Sequence, residues 1–214
     1  MLRNTSIFLF VALTTAADCA DESKQLVRPI TEAESVLAVY RENWGLLSAE
    51  TPAIIFAAWP DGYVAWSENR VKGGAPYRTA RVEPKKITLL LMRFETDGLF
   101  SDETLNQGHF GPDSEFITVF IKSEKKQVKM QSWHELFEDS DKHVATDKSA
   151  GPLDGRRRLN VLRGTPADYL FFRFVWSETR AKLTDLIPRE SSATAAKPSM
   201  KAGVLSWQEP VVKP

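Results

Sequence analysis

Two periods of apolar and polar positions run through this chain, and the places where one gives way to the other mark its elements. Residues 54–59 are apolar and β-prone, Pro60-Asp61-Gly62 follows, and 63–66 resumes in strand-like composition. Proline presets φ at the first position of a turn and glycine accepts the left-handed one, so this stretch predicts a hairpin. At Pro84 the period changes. Ile87, Leu90, Leu91 and Phe94 stand at i, i+3, i+4 and i+7, which lays one apolar stripe along a helix. Pro84 suits its first position and Gly98 the left-handed position just past its end. Leu99 then supplies the contact back onto Phe94 that closes such a cap.

Residues 116–122 and 127–133 return to period two, with Ile117, Val119 and Ile121 in the first run and Val128 and Met130 in the second. Residues 123–126 read as a four-residue hairpin loop, with one face of the pair turned inward and the other to water. A second helix is predicted from Thr165 as cap and Pro166 in the first turn, its stripe formed by Tyr169, Phe172, Trp176, Leu183 and Ile187 and ending before Pro188. The short apolar run 34–41 reads as a further strand. This order predicts an α+β fold: an antiparallel sheet of two hairpins plus an extra strand, with two helices packed on it. Residues 30–188 form the single domain of this reading and 18–29 a polar linker. Residues 189–214 form a loosely ordered tail with room for one short strand at 204–207. The two hairpins share no residue pattern, so no repeat architecture is expected.

The first 17 residues carry one Arg near the start, an apolar run over 7–13 and then small residues, the layout of a secretory signal peptide cut after Ala17. The run is too short to span a bilayer. Export to the periplasm or the extracellular side is therefore expected, with no membrane span in the mature chain. Cys19 is the single cysteine, so the folded part has no internal disulfide and must rely on packing. Asp18 stands where lipoprotein signals carry Gly, Ala or Ser, and lipid anchoring at Cys19 is not expected.

Charge changes the picture by exclusion. Lys and Arg number 28 and Asp and Glu 28, so there is no basic excess to draw nucleic acid or an anionic membrane. Twelve Phe, six Trp and four Tyr supply a core and rule out wholesale disorder. Gly-rich phosphate loops, a Gly-x-Ser-x-Gly elbow, a His-Glu-x-x-His pair and paired cysteines do not occur in the sequence. With no cysteine in the folded part, thiol nucleophiles and thiolate metal sites are excluded.

Of the three histidines, His109 precedes Asp113 by four residues and His134 is followed by Glu135. Two imidazoles and a carboxylate are metal-ligand types, yet this spacing matches no ligand pattern, and neither metal nor cofactor is expected. Asp61 is explained by its turn, and Asp113, Glu115 and Glu135 have no fixed mutual geometry for paired-carboxylate chemistry. The basic runs Lys122, Lys125, Lys126, Lys129 and Arg156-Arg157-Arg158 read as solvated faces.

Three connections, 68–83, 101–115 and 134–164, are longer than a compact domain needs. The first holds Gly73-Gly74-Ala75-Pro76-Tyr77 and the second Gly108-His109-Phe110-Gly111-Pro112-Asp113, glycine and proline beside an aromatic, which marks shaped backbone. A binding surface is expected there, from Trp66, Tyr77, His109, Phe110, Asp113, Trp133, His134 and Glu135. The competing reading folds Tyr77, Phe110 and Trp133 back to seal the ends of the core.

Trp59-Pro60-Asp61-Gly62, Trp66-Ser67, the Gly73 to Tyr77 string, Asp97-Gly98-Leu99-Phe100, Phe110-Gly111-Pro112-Asp113 and Ser132-Trp133-His134-Glu135-Leu136 form a set. As a set they resemble a family of uncharacterised bacterial secreted proteins and, more distantly, a domain of unknown function with the same order of strand, turn and helix. The likeness covers residues 44–188. It implies export and an α+β domain, and it carries no catalytic residue, ligand or partner. The function expected is an exported, soluble binding or interaction module of the periplasm or cell envelope, its partner an envelope protein or a small ligand. The alternative is a hydrolase or metal-dependent enzyme carried by His109, Asp113, His134 and Glu135. An enzyme requires those side chains to converge in one pocket, whereas an interaction module requires an exposed aromatic patch from Tyr77, Phe110 or Trp133.

Overall fold

The computed structural model describes residues 26–42, 51–101, 105, 108–109, 116–124, 126–132 and 167–209. Their strands are β1 (Val27–Pro29), β2 (Val36–Glu42), β3 (Ala53–Ala58), β4 (Tyr63–Ser67), β5 (Tyr77–Arg81), β6 (Gly108–His109), β7 (Phe116–Ser123), β8 (Lys126–Ser132), β9 (Ser192–Thr194), β10 (Lys197–Lys201) and β11 (Val204–Gln208). Two helices join them, α1 (Pro84–Thr96) and α2 (Ala167–Thr184). The fold is mixed and sheet-dominated. One sheet has eight strands in the order β6-β8-β7-β2-β3-β4-β5-β9 and the other three in the order β1-β11-β10. Every pairing is antiparallel except that of β6 with β8.

The hairpin at Pro60-Asp61-Gly62 forms as its chemistry dictates. The Gly62 N–H donates to the Trp59 carbonyl at 2.9 Å and the Trp59 N–H to the Tyr63 carbonyl at 3.0 Å, closing a three-residue loop with Gly62 at φ +87°. The second hairpin is tighter than expected: Ser123 pairs with Lys126, so the loop is two residues rather than four, with Glu124 at φ +46°.

Run 34–41 contains all but the last residue of strand β2, and its lack of alternation has a structural cause. It lies between β3 and β7, and residues 36–40 are buried on both faces. On one face Leu37, Val39, Val64, Trp66, Val119 and Met130 meet Ile87, Leu91 and Phe94 of α1 and Phe172, Trp176 and Leu183 of α2. On the other, Ala38, Tyr40, Ile54, Tyr63 and Tyr77 meet Ile30 and the Leu205 and Trp207 side chains of the small sheet. The eight-stranded sheet is thus the middle of three layers. A bulge in β3 serves both: Val39 pairs with Phe56 and Tyr40 with Ile54, so Ile55 is the extra residue. Ile54 then joins the small-sheet core while Ile55 and Phe56 join the helical one.

This arrangement corrects four expectations. The main sheet is larger than two hairpins and a strand, because connection 68–83 contains β5, which pairs with β4 and β9. The described part of the tail, 189–209, is ordered: three strands occupy it, and Leu205 and Trp207 are fully buried. The linker likewise carries β1, antiparallel to β11. Finally, β7 buries both faces, since Phe116, Thr118 and Phe120 are as enclosed as Ile117, Val119 and Ile121.

Arg28 clasps the small sheet to the first hairpin. Its guanidinium pairs with Glu209 and, at 2.9 Å, with Asp61, and lies 4.4 Å from the centre of the Tyr63 ring. No helix among the described residues is long and apolar enough to cross a membrane.

Candidate functional site

The helical layer is built from two amphipathic stripes that do not cover each other fully. Pro84 opens α1. At its far end the Gly98 N–H donates to the Glu95 carbonyl at 3.1 Å and the Leu99 N–H to the Phe94 carbonyl at 2.9 Å, with Gly98 at φ +80°. That double bond pattern is the left-handed helix stop expected from the sequence, and it folds Leu99 into the same core as Phe94. Asp97, at the C-cap, sits at the negative end of the helix dipole, where a carboxylate is disfavoured. Two cations offset this on the same oxygen: Lys182 Nζ of α2 at 3.2 Å and Arg93 Nε at 3.7 Å.

Lys182 therefore pins the two helices together at one point, and beside it they part. The cleft between them has a volume of about 400 Å³, and Phe94, Leu99, Leu105, Phe171, Phe174 and Val175 form its apolar walls. Asp97, Glu178, Thr179 and Lys182 supply its polar groups. Two walls stand open to solvent, Phe171 at 45% and Phe174 at 65% exposure. Lys182 Nζ lies 5.7 Å from the centre of the Phe94 ring, so its charge is committed to Asp97 and to that ring. Glu178 has no ion pair or hydrogen bond among the described residues and is exposed at the cleft margin. Size, apolar walls and a few convergent polar groups are the features of a small-molecule site. The chemistry on offer is recognition: a desolvating apolar slot with one carboxylate acceptor at its edge.

Those of the expected binding residues that are described are placed elsewhere. Trp66 is only 2% exposed, on the helical face of the sheet, and Tyr77 is 5% exposed, on the opposite face. Tyr77 packs edge-on against Trp207 with ring centres 5.0 Å apart, so it seals the core instead of offering a surface. Neither side chain contributes to a shared site. His109 lies in β6 at the edge of the main sheet, paired with Ser132. Phe110, Asp113, Trp133, His134 and Glu135 lie outside the described residues. Among the described residues no three His, Cys, Asp or Glu side chains come together.

Sequence reasoning missed the cleft, although a signal existed. The α2 stripe of Phe172, Trp176 and Leu183 accounts for the buried face and leaves Phe171 and Phe174 off it, two large apolar side chains with no core to enter. A scan against protein-family models, a search of curated proteins and a search of solved structures each returned no significant match.

Proposed function

We propose that this chain is an exported binding module whose cleft between α1 and α2 takes a small, largely apolar molecule carrying a hydrogen-bond donor. The observation that carries this reading is the open 400 Å³ cleft with phenylalanine walls and Glu178 at its margin. Export rests on the leader-like pattern of residues 1–17 and on the likeness of the motif string to bacterial secreted proteins. A neutral donor group, an amine or hydroxyl, would face Glu178 while the apolar body displaces water from the walls. The alternative, an enzyme using His109, Asp113, His134 and Glu135, has no specific observation in its favour.

The test is titration with N-phenyl-1-naphthylamine, a neutral apolar amine whose emission rises on leaving water, together with the thermal midpoint. Saturable binding to the unmodified chain is expected. A ligand at about a hundred times its dissociation constant adds about 2.7 kcal/mol, or about 5 to 11 °C in a chain of this size. Val175→Trp fills the slot from its own wall and should abolish both signals while the variant still unfolds cooperatively. Undiminished binding to that variant would overturn the assignment of the cleft.

A further inference from the structure

The inward stripe of α2 runs Phe172, Trp176 and Leu183, at i, i+4 and i+11, and all three enter the core of the helical layer. The position in phase between the last two, at i+7, is Thr179. A helix that faces a core places an apolar side chain there, so a threonine breaks the pattern that builds the rest of the face. Thr179 is nonetheless only 2% exposed. It also lines the cleft between α1 and α2, where the other α2 residues, Phe171, Phe174, Val175, Glu178 and Lys182, are all more exposed than it is. Thr179 is therefore the innermost of the cleft's α2 residues, and Glu178 stands beside it at the margin.

The Thr179 hydroxyl differs from its counterparts in what it bonds. Thr88, Thr96 and Thr184, the other threonines of the two helices, are exposed, and each donates to the carbonyl four residues back: Pro84 at 3.3 Å, Met92 at 3.0 Å and Arg180 at 2.9 Å. The buried hydroxyls of Ser67 and Thr118 donate to the Gly74 carbonyl and to Glu42 Oε2. The hydroxyl of Thr179 makes no hydrogen bond among the described residues, not even to the Val175 carbonyl that lies four residues back. Burying a hydroxyl without a partner forfeits its hydrogen bonds to water, which is destabilising unless something entering from outside restores them. Phe94, Leu99, Leu105, Phe171, Phe174 and Val175, the apolar walls around it, restore none.

Glu178 and Thr179 are consecutive, their Cα atoms about 3.8 Å apart. The donor that satisfies Glu178 and the acceptor that satisfies Thr179 then belong to one functional group of the ligand and not to its two ends. A carboxamide carries that pair, an N–H beside a C=O, on one planar group. Resting on the reading of the cleft as a binding site, we propose that Thr179 is its specificity-determining residue and that the ligand class is a neutral carboxamide on an apolar body. The carbonyl accepts from the Thr179 hydroxyl, the N–H meets Glu178, and the body lies on Phe171 and Phe174.

The experiment displaces N-phenyl-1-naphthylamine from the full chain with three ligands of one size: 2-naphthamide, with donor and acceptor; 2-acetonaphthone, with acceptor alone; and 2-ethylnaphthalene, with neither. In a purely apolar slot the hydrocarbon binds tightest, because the other two give up hydrogen bonds to water on entry. The expected result is the reverse, amide and ketone at least fivefold tighter than the hydrocarbon and the amide at least equal to the ketone. Thr179→Val keeps the shape and is expected to weaken the amide at least tenfold and to make the hydrocarbon the tightest of the three. Thr179→Ser, which retains the hydroxyl, should keep the original order, and Glu178→Ala should weaken the amide while leaving the ketone unchanged. Naphthylamine, a donor without a carbonyl, should bind Thr179→Val within threefold of the unmodified chain, which reports an intact cleft. If Thr179→Val does not unfold cooperatively, the order of the three ligands on the unmodified chain and on Thr179→Ser decides. Naphthylamine binding with the hydrocarbon tightest on the unmodified chain, or an unchanged order in folded Thr179→Val, would overturn the role of Thr179 and leave the cleft as an apolar site. Loss of naphthylamine binding in Thr179→Val would make the residue structural and overturn that role too. No naphthylamine binding to the unmodified chain would overturn the cleft reading and this inference with it.

Discussion

At Gly62 two separate demands fall on one residue. Its φ of +87° is left-handed, and a Cβ built there would stand 2.2 Å from the carbonyl oxygen of Val82 and 3.3 Å from Cδ and Cγ of Pro84 at the start of α1. Gly74 has the same φ of +87° but open space where a Cβ would go. Gly74→Ala should therefore cost only the left-handed penalty, about 1 kcal/mol, whereas Gly62→Ala should cost about 3 kcal/mol because backbone must shift as well. Urea midpoints of the pair separate strain from clash, and equal losses would refute the distinction. Asp61, one residue earlier, couples the same turn to pH. Burial alone would raise its carboxyl, but the Tyr63 N–H and the Arg28 and Arg81 guanidiniums outweigh that and hold it below its ordinary 3.8. A depressed carboxyl stabilises the fold above its unfolded value and loses that contribution as pH falls through the folded one. The thermal midpoint of Asp61→Asn should thus lie below that of the unmodified chain at pH 6 and converge with it toward pH 2. This residue-level grammar of proline, aspartate and glycine was legible in the sequence, because each residue type acts on its own backbone. The role of Tyr77 was not, because its partner Trp207 is 130 residues away in sequence and nothing local to either announces the edge-on contact.

Among the elements, α1 was readable to its last residue, since a stripe of period 3.6 and a glycine stop are both local signals. Strand β7 shows where such reading ends. Its alternation of Ile117, Val119 and Ile121 correctly marks one inner face, yet Phe116, Thr118 and Phe120 are buried too, because the chain supplies a covering layer on that side. Thr118 is the polar member of that second face. Its hydroxyl donates to Glu42 Oε2 at 2.6 Å, and Gln131 Nε2 donates to the same carboxylate oxygen at 3.2 Å, so three strands are joined by one acceptor. Thr118→Val keeps the shape and removes the hydroxyl. A hydrogen bond to a charged acceptor is worth more than a neutral one, so a loss of about 1.5 kcal/mol is expected in the denaturation midpoint. A neutral result would mean that water replaces the hydroxyl at no cost. The candidate cleft belongs to this scale as well. It is a mismatch between two helices, α1 and α2, and only their relative placement turns Phe171 and Phe174 from two surplus aromatics into the walls of a cavity.

For the whole molecule, the three layers divide the work: the cleft opens on the helical side, while the small sheet closes the opposite face with Leu205 and Trp207. That sheet joins residues 27–29 to residues 197–208, an association across nearly the full described chain that no local pattern encodes, which is why the tail read as loose. Trp207 is the keystone of this layer, 0% exposed, edge-on to Tyr77 and donating its indole N–H to the Tyr63 hydroxyl at 3.3 Å. Trp207→Ala should cost about 3 to 5 kcal/mol, since a buried indole leaves a cavity that the flanking rings cannot fill. At about 2 to 4 °C per kcal/mol the thermal midpoint should fall by about 6 to 20 °C. Naphthylamine affinity measured well below that midpoint should stay within twofold of the unmodified chain, because the eight-stranded sheet stands between Trp207 and the helices. A large drop in midpoint with affinity retained would establish that the small sheet stabilises the fold without shaping the cleft. A tenfold loss of affinity in the still-folded variant would instead show that strain from the small-sheet core passes through Tyr63 and Trp66, opposite-face residues of β4, into the helical layer.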